Sequence, residues 1–299
     1  MPDNERPLVI GLGEVLWDLL PEGKQFGGAP TNFAYHAKQF GADARVVSCV
    51  GDDDLGREIL ERLDRLGLDR QFVAVDPHRP TGTVSIAVDG DGKPDYIIHE
   101  DVAWDHIPVL PGLEELALRA DGVCFGSLAQ RSSMSHNTIN RFLEATSERC
   151  LRIFDINLRQ HYYTTEIIQE SLEQANVLKI NDEELPVVAE LLLIEGDLHA
   201  VMHTLIDRYA LQAIALTKGA DGSELVGRDV RATQPGAEVE VADTVGAGDA
   251  FAAVLAMGLL RGLDLETINA HAARVAAYVC TQAGATPEMP EELRRLGES

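Results

Sequence analysis

Apolar residues along the chain fall into a repeating alternation. Residues 8–10 form a short apolar run, and residues 31–41 then place Phe33, Ala37 and Phe40 at helical spacing, with Gly41 where a helix ends. The order is strand, loop, helix. It continues with an apolar run at 46–50 and with Leu55, Ile59, Leu63 and Leu66 on one helical face closed by Gly67. Further strand-like runs lie at 122–125, 152–154, 177–180 and 213–217, with helical patterns between them. Such alternation predicts an α/β fold, a central mostly parallel sheet with helices on both faces. Strand order is not legible in it.

One segment breaks the rhythm. Residues 81–88 and 96–99 are β-like runs joined by the polar turn Asp89-Gly90-Asp91-Gly92-Lys93-Pro94, with no helix between them. A hairpin inserted there does not easily enter a parallel core, so it is expected either at a sheet edge or as a small β flap that residues 72–75 join.

The 299 residues, 45% hydrophobic and 25% charged, suffice for one large α/β domain, alone or with a small appendage. No leader-like start or apolar run of spanning length is legible, so the cytosol is the expected location and no membrane partner is expected. Against 25 basic residues stand 49 acidic ones, a net charge of −24 that repels nucleic acid. A polyanionic ligand must then be held by local amides, a metal or a few placed cations. Cys49, Cys124, Cys150 and Cys280 are far apart with no paired spacing, and they read as reduced residues rather than disulfides or a zinc site.

Two nucleotide patterns can be set aside. Gly11-Leu12-Gly13 follows a strand, but Leu16 stands where a dinucleotide fingerprint needs its third glycine, and Pro21 interrupts the helix that should follow. No Gly-Lys-Ser/Thr triplet of a P-loop occurs. The strongest signal is Asp243-Thr244-Val245-Gly246-Ala247-Gly248-Asp249-Ala250-Phe251, which leads into an apolar helical stretch at 252–260. Glycines before a helix let the amides of Gly246, Ala247 and Gly248 approach an anion, and the helix dipole adds positive potential. Asp249 falls in the first turn, where its carboxylate could take a proton from an incoming hydroxyl; an isolated aspartate there would only complement the dipole. A second string, Phe26-Gly27-Gly28-Ala29-Pro30-Thr31-Asn32, suits close approach to a polyhydroxylated ligand, with Asn32 as donor, or a tight loop whose helix is capped by Thr31 or Asn32. Asp18 is a suitable acceptor for two neighbouring hydroxyls.

The two strings together resemble the ribokinase-like, or PfkB-type, family of sugar kinases: a Gly-Gly-x-x-x-Asn loop at Gly27, Gly28 and Asn32, and an Asp-Thr-x-Gly-Ala-Gly-Asp signature at Asp243 to Asp249. The resemblance implies a kinase using ATP, one domain over 1–299, and a small β lid from segments within 14–32 and 70–103. It further implies that Asn181 and Glu184, in the string beginning at Lys179, order Mg²⁺ through water. Thr217, Gly219 and Gly222, with Lys179 and Gly248, would then lie near the nucleotide. A monovalent cation, K⁺ in many relatives, is expected at Asp243, Val245, Val279, Gln282 and Gly284, although Glu288 departs from the serine common there. Residues 272–284 would wall the adenine, and relatives often pair through the lid, so a homodimer is expected.

Among substrates, the strings at 13–18 and at 154–159 look most like fructokinases. Arg131 and Arg159 would instead suit an anionic sugar such as 2-keto-3-deoxygluconate or a sugar phosphate. Ribose, a nucleoside and a silent sugar-binding sensor complete the alternatives.

Overall fold

The computed structural model describes residues 6–21, 23–88 and 94–297. The chain opens with β1 (Leu8–Leu12), β2 (Leu16–Leu20) and β3 (Gly23–Gly27), then α1 (Ala29–Gln39), β4 (Asp43–Gly51), α2 (Asp54–Leu66) and β5 (Val73–Asp76). The strands β6 (Thr83–Val88) and β7 (Pro94–Ile98) follow, and then α3 (Leu113–Arg119), β8 (Gly122–Phe125), α4 (Ser133–Ala145) and β9 (Leu151–Asp155). Next come α5 (Thr165–Gln174), β10 (Val177–Asn181), α6 (Glu184–Leu191), α7 (Leu198–Tyr209), β11 (Ala213–Thr217), β12 (Ser223–Val226) and β13 (Arg231–Gln234). The chain closes with α8 (Ala247–Leu260), α9 (Leu265–Cys280) and α10 (Glu291–Arg294).

A nine-stranded sheet runs in the order β13-β12-β11-β10-β9-β8-β1-β4-β5. Neighbours from β11 to β5 are all parallel, and β12 and β13 add antiparallel at one edge. The parallel strands are apolar on both faces because helices cover both, which is why they read as unbroken runs such as LVIGL rather than alternating ones. Two apolar cores result, one on each side of the sheet. The hydrophobic stretch after Gly246-Ala247-Gly248 becomes α8, buried at every residue of 249–258 between α1 and α9. An all-apolar helix is stable only in such a place.

A second sheet, in the order β3-β2-β6-β7, carries the hairpin. The β6–β7 ladder is antiparallel, and Trp17, Asp18 and Leu19 pair in parallel with Thr83, Val84 and Ser85. Its turn, residues 89–93, lies outside the described residues. One expectation is corrected: residues 72–75 do not join this sheet. Val73 pairs with Ser48, so this stretch forms β5 at the edge of the main sheet, where Phe72 and Val73 are buried. After α2, a right-sized crossover had an open parallel edge at β4 to fill, and burial decided the matter.

The cysteines are free thiols, three of them buried, and burial pushes Cys49 and Cys150 up to about 12, which leaves those two unreactive. Among the described residues no helix is long and apolar enough to cross a membrane.

Gly11, part of the discarded dinucleotide pattern, has a packing reason. A Cβ there would stand 2.0 Å from the carbonyl oxygen of Pro30, so the absence of a side chain lets α1 rest directly on β1. Gly11→Ala should lower the unfolding free energy by about 1–3 kcal/mol, the cost of overpacking a tight contact, read as a lower urea midpoint at unchanged slope.

Candidate functional site

The carboxyl ends of the parallel strands, the first turns of α1 and α8 and the inner side of the second sheet enclose a cleft of about 960 Å³. In open parallel sheets ligands collect at that end of the strands. Leu16, Val84 and Ile98 form its apolar wall on the second sheet, and Glu14, Asp18, Asn32, Asp249 and Arg159 bring polar groups to it.

At its base lies the signature turn. Gly246 caps α8 in the left-handed region, at φ 82°, and a Cβ on it would meet the Ala285 carbonyl oxygen at 2.5 Å, so only glycine fits. Asp249 sits in the first turn of α8, 8% exposed, and its Oδ2 accepts a hydrogen bond of 2.8 Å from Asn32 Nδ2. Burial, then the nearby charge of Asp155, push the Asp249 carboxyl up to about 6, with Lys179, Asn32 and Arg159 acting in the opposite direction. Lys179 Nζ bonds Asp155 Oδ1 at 2.8 Å within the buried interior. Burial alone would lower the lysine's pKa, but Asp155 and Asp249 hold it above the ordinary value, so it stays charged.

The glycine string before α1 closes the other end. Gly28, φ 112°, is the N-cap of α1, and a Cβ there would stand 2.4 Å from the Glu14 carbonyl oxygen. Neither Thr31 nor Asn32 caps the helix: no side chain does, Thr31 Oγ1 reaches the Glu14 carbonyl at 3.4 Å, and Asn32 reaches Asp249. A Cβ on Gly27 would lie 2.6 Å from Asp18 Oδ2, so Gly27 leaves room for that carboxyl on β2. Burial pushes Asp18 up to about 6.

Of the residues expected near a nucleotide, Lys179, Asn181, Thr217, Gly219 and Gly248 line the cleft, and Gly222 does not. Gly222, φ 96°, shapes the turn, its carbonyl accepting the Lys218 amide at 2.8 Å. Asn181 Oδ1 accepts the amides of Glu183 and Glu184 at 3.0 and 2.7 Å. Glu184 accepts from the amides of Leu158 at 2.9 Å and Asn181 at 3.0 Å, which ties the loop carrying Arg159 to the start of α6. Asp243 bridges the residues expected around a cation, taking the amides of Val245 at 3.0 Å and Gly284 at 3.2 Å. The Val279 carbonyl instead accepts the Gln282 amide at 2.9 Å, closing the end of α9. Glu288 turns away to Arg294 at 2.7 Å.

One expectation is corrected. Arg131 does not line this cleft: it bonds Asp105 at 2.8 and 2.9 Å, lies over Trp104 and Tyr162, and donates to the His99 carbonyl at 2.6 Å beside a separate pocket of about 470 Å³. Of the arginine pair only Arg159 faces the cleft. Residues 272–284 lie outside the lining of this cleft, with Ala276, Ala277 and Tyr278 half-buried. Ala272, Val275 and Val279 are fully buried in the core, and Thr244 and Val245 stand at the cleft instead.

Glu14, Asp155 and His36 went unassigned in the sequence. Glu14 is 4% exposed, and burial pushes its carboxyl up to about 7. Its signal was a charged residue just past a buried strand, and Asp155 closes β9 in the same manner.

The family model for pfkB family carbohydrate kinases matches residues 22–292. A sugar kinase from Pyrococcus horikoshii is 29% identical over 308 aligned residues, 96% of this chain and 95% of that protein. Its crystal structure, described as that of an uncharacterized sugar kinase, superposes with a TM-score of 0.81, covering 97% of this chain and 99% of the other at 27% identity. A second crystal structure of that protein, in complex with ATP, gives a TM-score of 0.79 over 93% and 94% of the two chains. Fructokinase-1 of Oryza sativa subsp. japonica is 27% identical over 315 residues, 97% of this chain and 96% of that protein. A match that runs unbroken through both glycine strings and nearly the whole chain places the protein in the pfkB family of carbohydrate kinases, and its chemistry is that of a phosphotransferase.

Proposed function

We propose that the enzyme moves the γ-phosphoryl group of ATP to a primary hydroxyl of a sugar, fructose foremost, with Asp249 as the general base. One observation carries the reading: a buried carboxylate, oriented by Asn32, stands in the first turn of α8 beside the Gly246–Gly248 amides. ATP is supported by the complex of the Pyrococcus relative, and fructose by the likeness to the rice fructokinase and by the strings around Glu14 to Asn32. The second sheet acts as the lid over the sugar.

The sugar hydroxyl meets Asp249 at the carboxylate that Asn32 holds. As the phosphoryl group transfers, negative charge builds on its oxygens, and the amides at the start of α8 face that charge without having to reorganise. Asp249 receives the hydroxyl proton at Oδ. Asp18 and Asn32 orient the sugar, and Lys179, fixed by Asp155, keeps a positive charge near the phosphates. Among the described residues no cluster of three or more His, Cys, Asp or Glu could hold a metal directly. Asn181 and Glu184 would order a Mg²⁺ through water, since the Glu184 carboxylate keeps lone pairs beyond its two backbone bonds. When bound, it neutralises charge on the phosphate oxygens.

Asp249→Asn should lower kcat by about 10²- to 10⁴-fold with ATP and sugar affinities within a few fold. In the wild type, kcat should fall as pH drops through about 6, where Asp249 takes up a proton. Its folded pKa lies above the unfolded one, so the folded state binds the proton more tightly. The contribution of Asp249 to wild-type stability therefore declines as pH rises from about 4 through about 6. The asparagine variant lacks that decline, and its thermal midpoint should gain on the wild type between pH 4 and pH 8. A near-wild-type kcat in this variant would remove Asp249 from the mechanism.

A panel of sugars with Mg-ATP tests the substrate. Fructose should give the highest kcat/KM; turnover of 2-keto-3-deoxygluconate, ribose or a nucleoside about tenfold more efficient than fructose overturns it, since tenfold marks a difference of about 1.4 kcal/mol in transition-state binding.

The bridge from Asp243 to Val245 and Gly284 supports a K⁺ beside the anion hole. The rate should rise when K⁺ replaces tetramethylammonium; equal rates in both would refute it.

A further inference from the structure

Helix α1 meets the carboxyl-terminal part of the chain along one line. Asn32, His36 and Gln39 are spaced i, i+4, i+7 and share one face of the helix. Asn32 holds Asp249 at 2.8 Å. One turn on, His36 Nε2 lies 2.9 Å from the carbonyl oxygen of Ala285. Gln39 closes the line, donating to the Pro287 carbonyl at 3.1 Å and accepting the Met289 amide at 2.7 Å. His36 is fully buried. Because a carbonyl only accepts, Nε2 carries the proton, and burial lowers the ring's pKa to about 4, so the ring is neutral at physiological pH.

The carbonyl that His36 holds has a particular neighbour. A Cβ on Gly246 would meet that same Ala285 oxygen at 2.5 Å, so Ala285 abuts the residue at which the anion-binding turn begins. The preceding residue, Gly284, donates its amide to Asp243 at 3.2 Å, fastening the strap to the other end of the turn.

We infer that His36 is a positioning residue for phosphoryl transfer: through the Ala285 carbonyl it holds Gly246, and so the amides of the anion hole, in register with the Asp249 carboxylate that Asn32 holds from the same helix. The inference rests on the proposed base and anion hole. Two anchors four residues apart on one helix are fixed to each other at about 6 Å along its axis. Base and hole therefore cannot drift independently. Without the His36 donor, the buried Ala285 carbonyl is unpaired and the strap is free to shift, and misplacing reacting groups by about 1 Å costs on the order of 10²-fold in rate. Asp18, Gly27 and Gly28 lie outside this contact, so sugar binding should persist. A histidine that merely fills the core would predict instead that any residue of its volume serves.

The test uses full-length enzyme, Mg-ATP and whichever sugar of the panel turns over fastest. His36→Leu, which keeps the volume and loses the donor, should lower kcat by about 10- to 100-fold with the sugar KM within about threefold. His36→Gln, whose Nε2 can reach the same carbonyl, should recover kcat to within about threefold of wild type. Wild-type kcat in His36→Leu, or an equal loss in His36→Gln, overturns the inference. If the leucine variant does not fold, His36→Asn, one methylene too short to reach Ala285, takes its place with the same two outcomes. The base assignment is separable: a dead Asp249→Asn beside a fully active His36→Leu removes the positioning role alone.

Discussion

The hydrogen bond from Asn32 to Asp249 joins residues 217 positions apart, and most of the site depends on it. It brings the glycine string before α1 against the glycine string before α8, so that the first turns of the two helices face each other across the cleft. The approach is possible because side chains are missing where backbones meet. Gly11 lets α1 down onto β1, Gly28 clears the Glu14 carbonyl, and Gly246 clears Ala285. Each contact would be closed by a single methyl group.

Electrostatics sets the second constraint. In a chain of net charge −24, any polyanion has to be met by local rather than global charge. Within the cleft, Lys179 is held by Asp155, and the amides at the start of α8 add partial positive charge. Burying Asp249 near Asp155 raises its affinity for a proton, which suits the base proposed for it. Breaking the buried Lys179–Asp155 pair from one side would leave an uncompensated charge, a loss of about 3–5 kcal/mol.

The two sheets divide the labour. The main sheet fixes the signature turn, Lys179 and the Asn181–Glu184 cap on rigid strands and helix starts, while the second sheet adds the apolar wall of Leu16, Val84 and Ile98. Arg131 belongs to the support beneath that wall: through the His99 carbonyl it holds the segment that leaves β7, and Tyr162, under the same guanidinium, bonds the Ile98 carbonyl.

By itself the sequence determined whatever depends on neighbours along the chain. The α/β alternation, the hairpin, the glycine at Gly246 and the placing of Asp249 in a first helical turn follow from periodicity and local backbone demands. Strand order, the transfer of residues 73–76 to the main sheet and the division between Arg131 and Arg159 were decided only in three dimensions. So were the choice of Asn32 between helix cap and partner of Asp249, the burial of Ala272, Val275 and Val279 in the core, and the raised pKa values of Glu14, Asp18 and Asp249. The reason is common to all of them: a side chain's partner and its access to water are set by segments tens to hundreds of residues away, and no local pattern records which of several chemically suitable partners the packed core will bring to it.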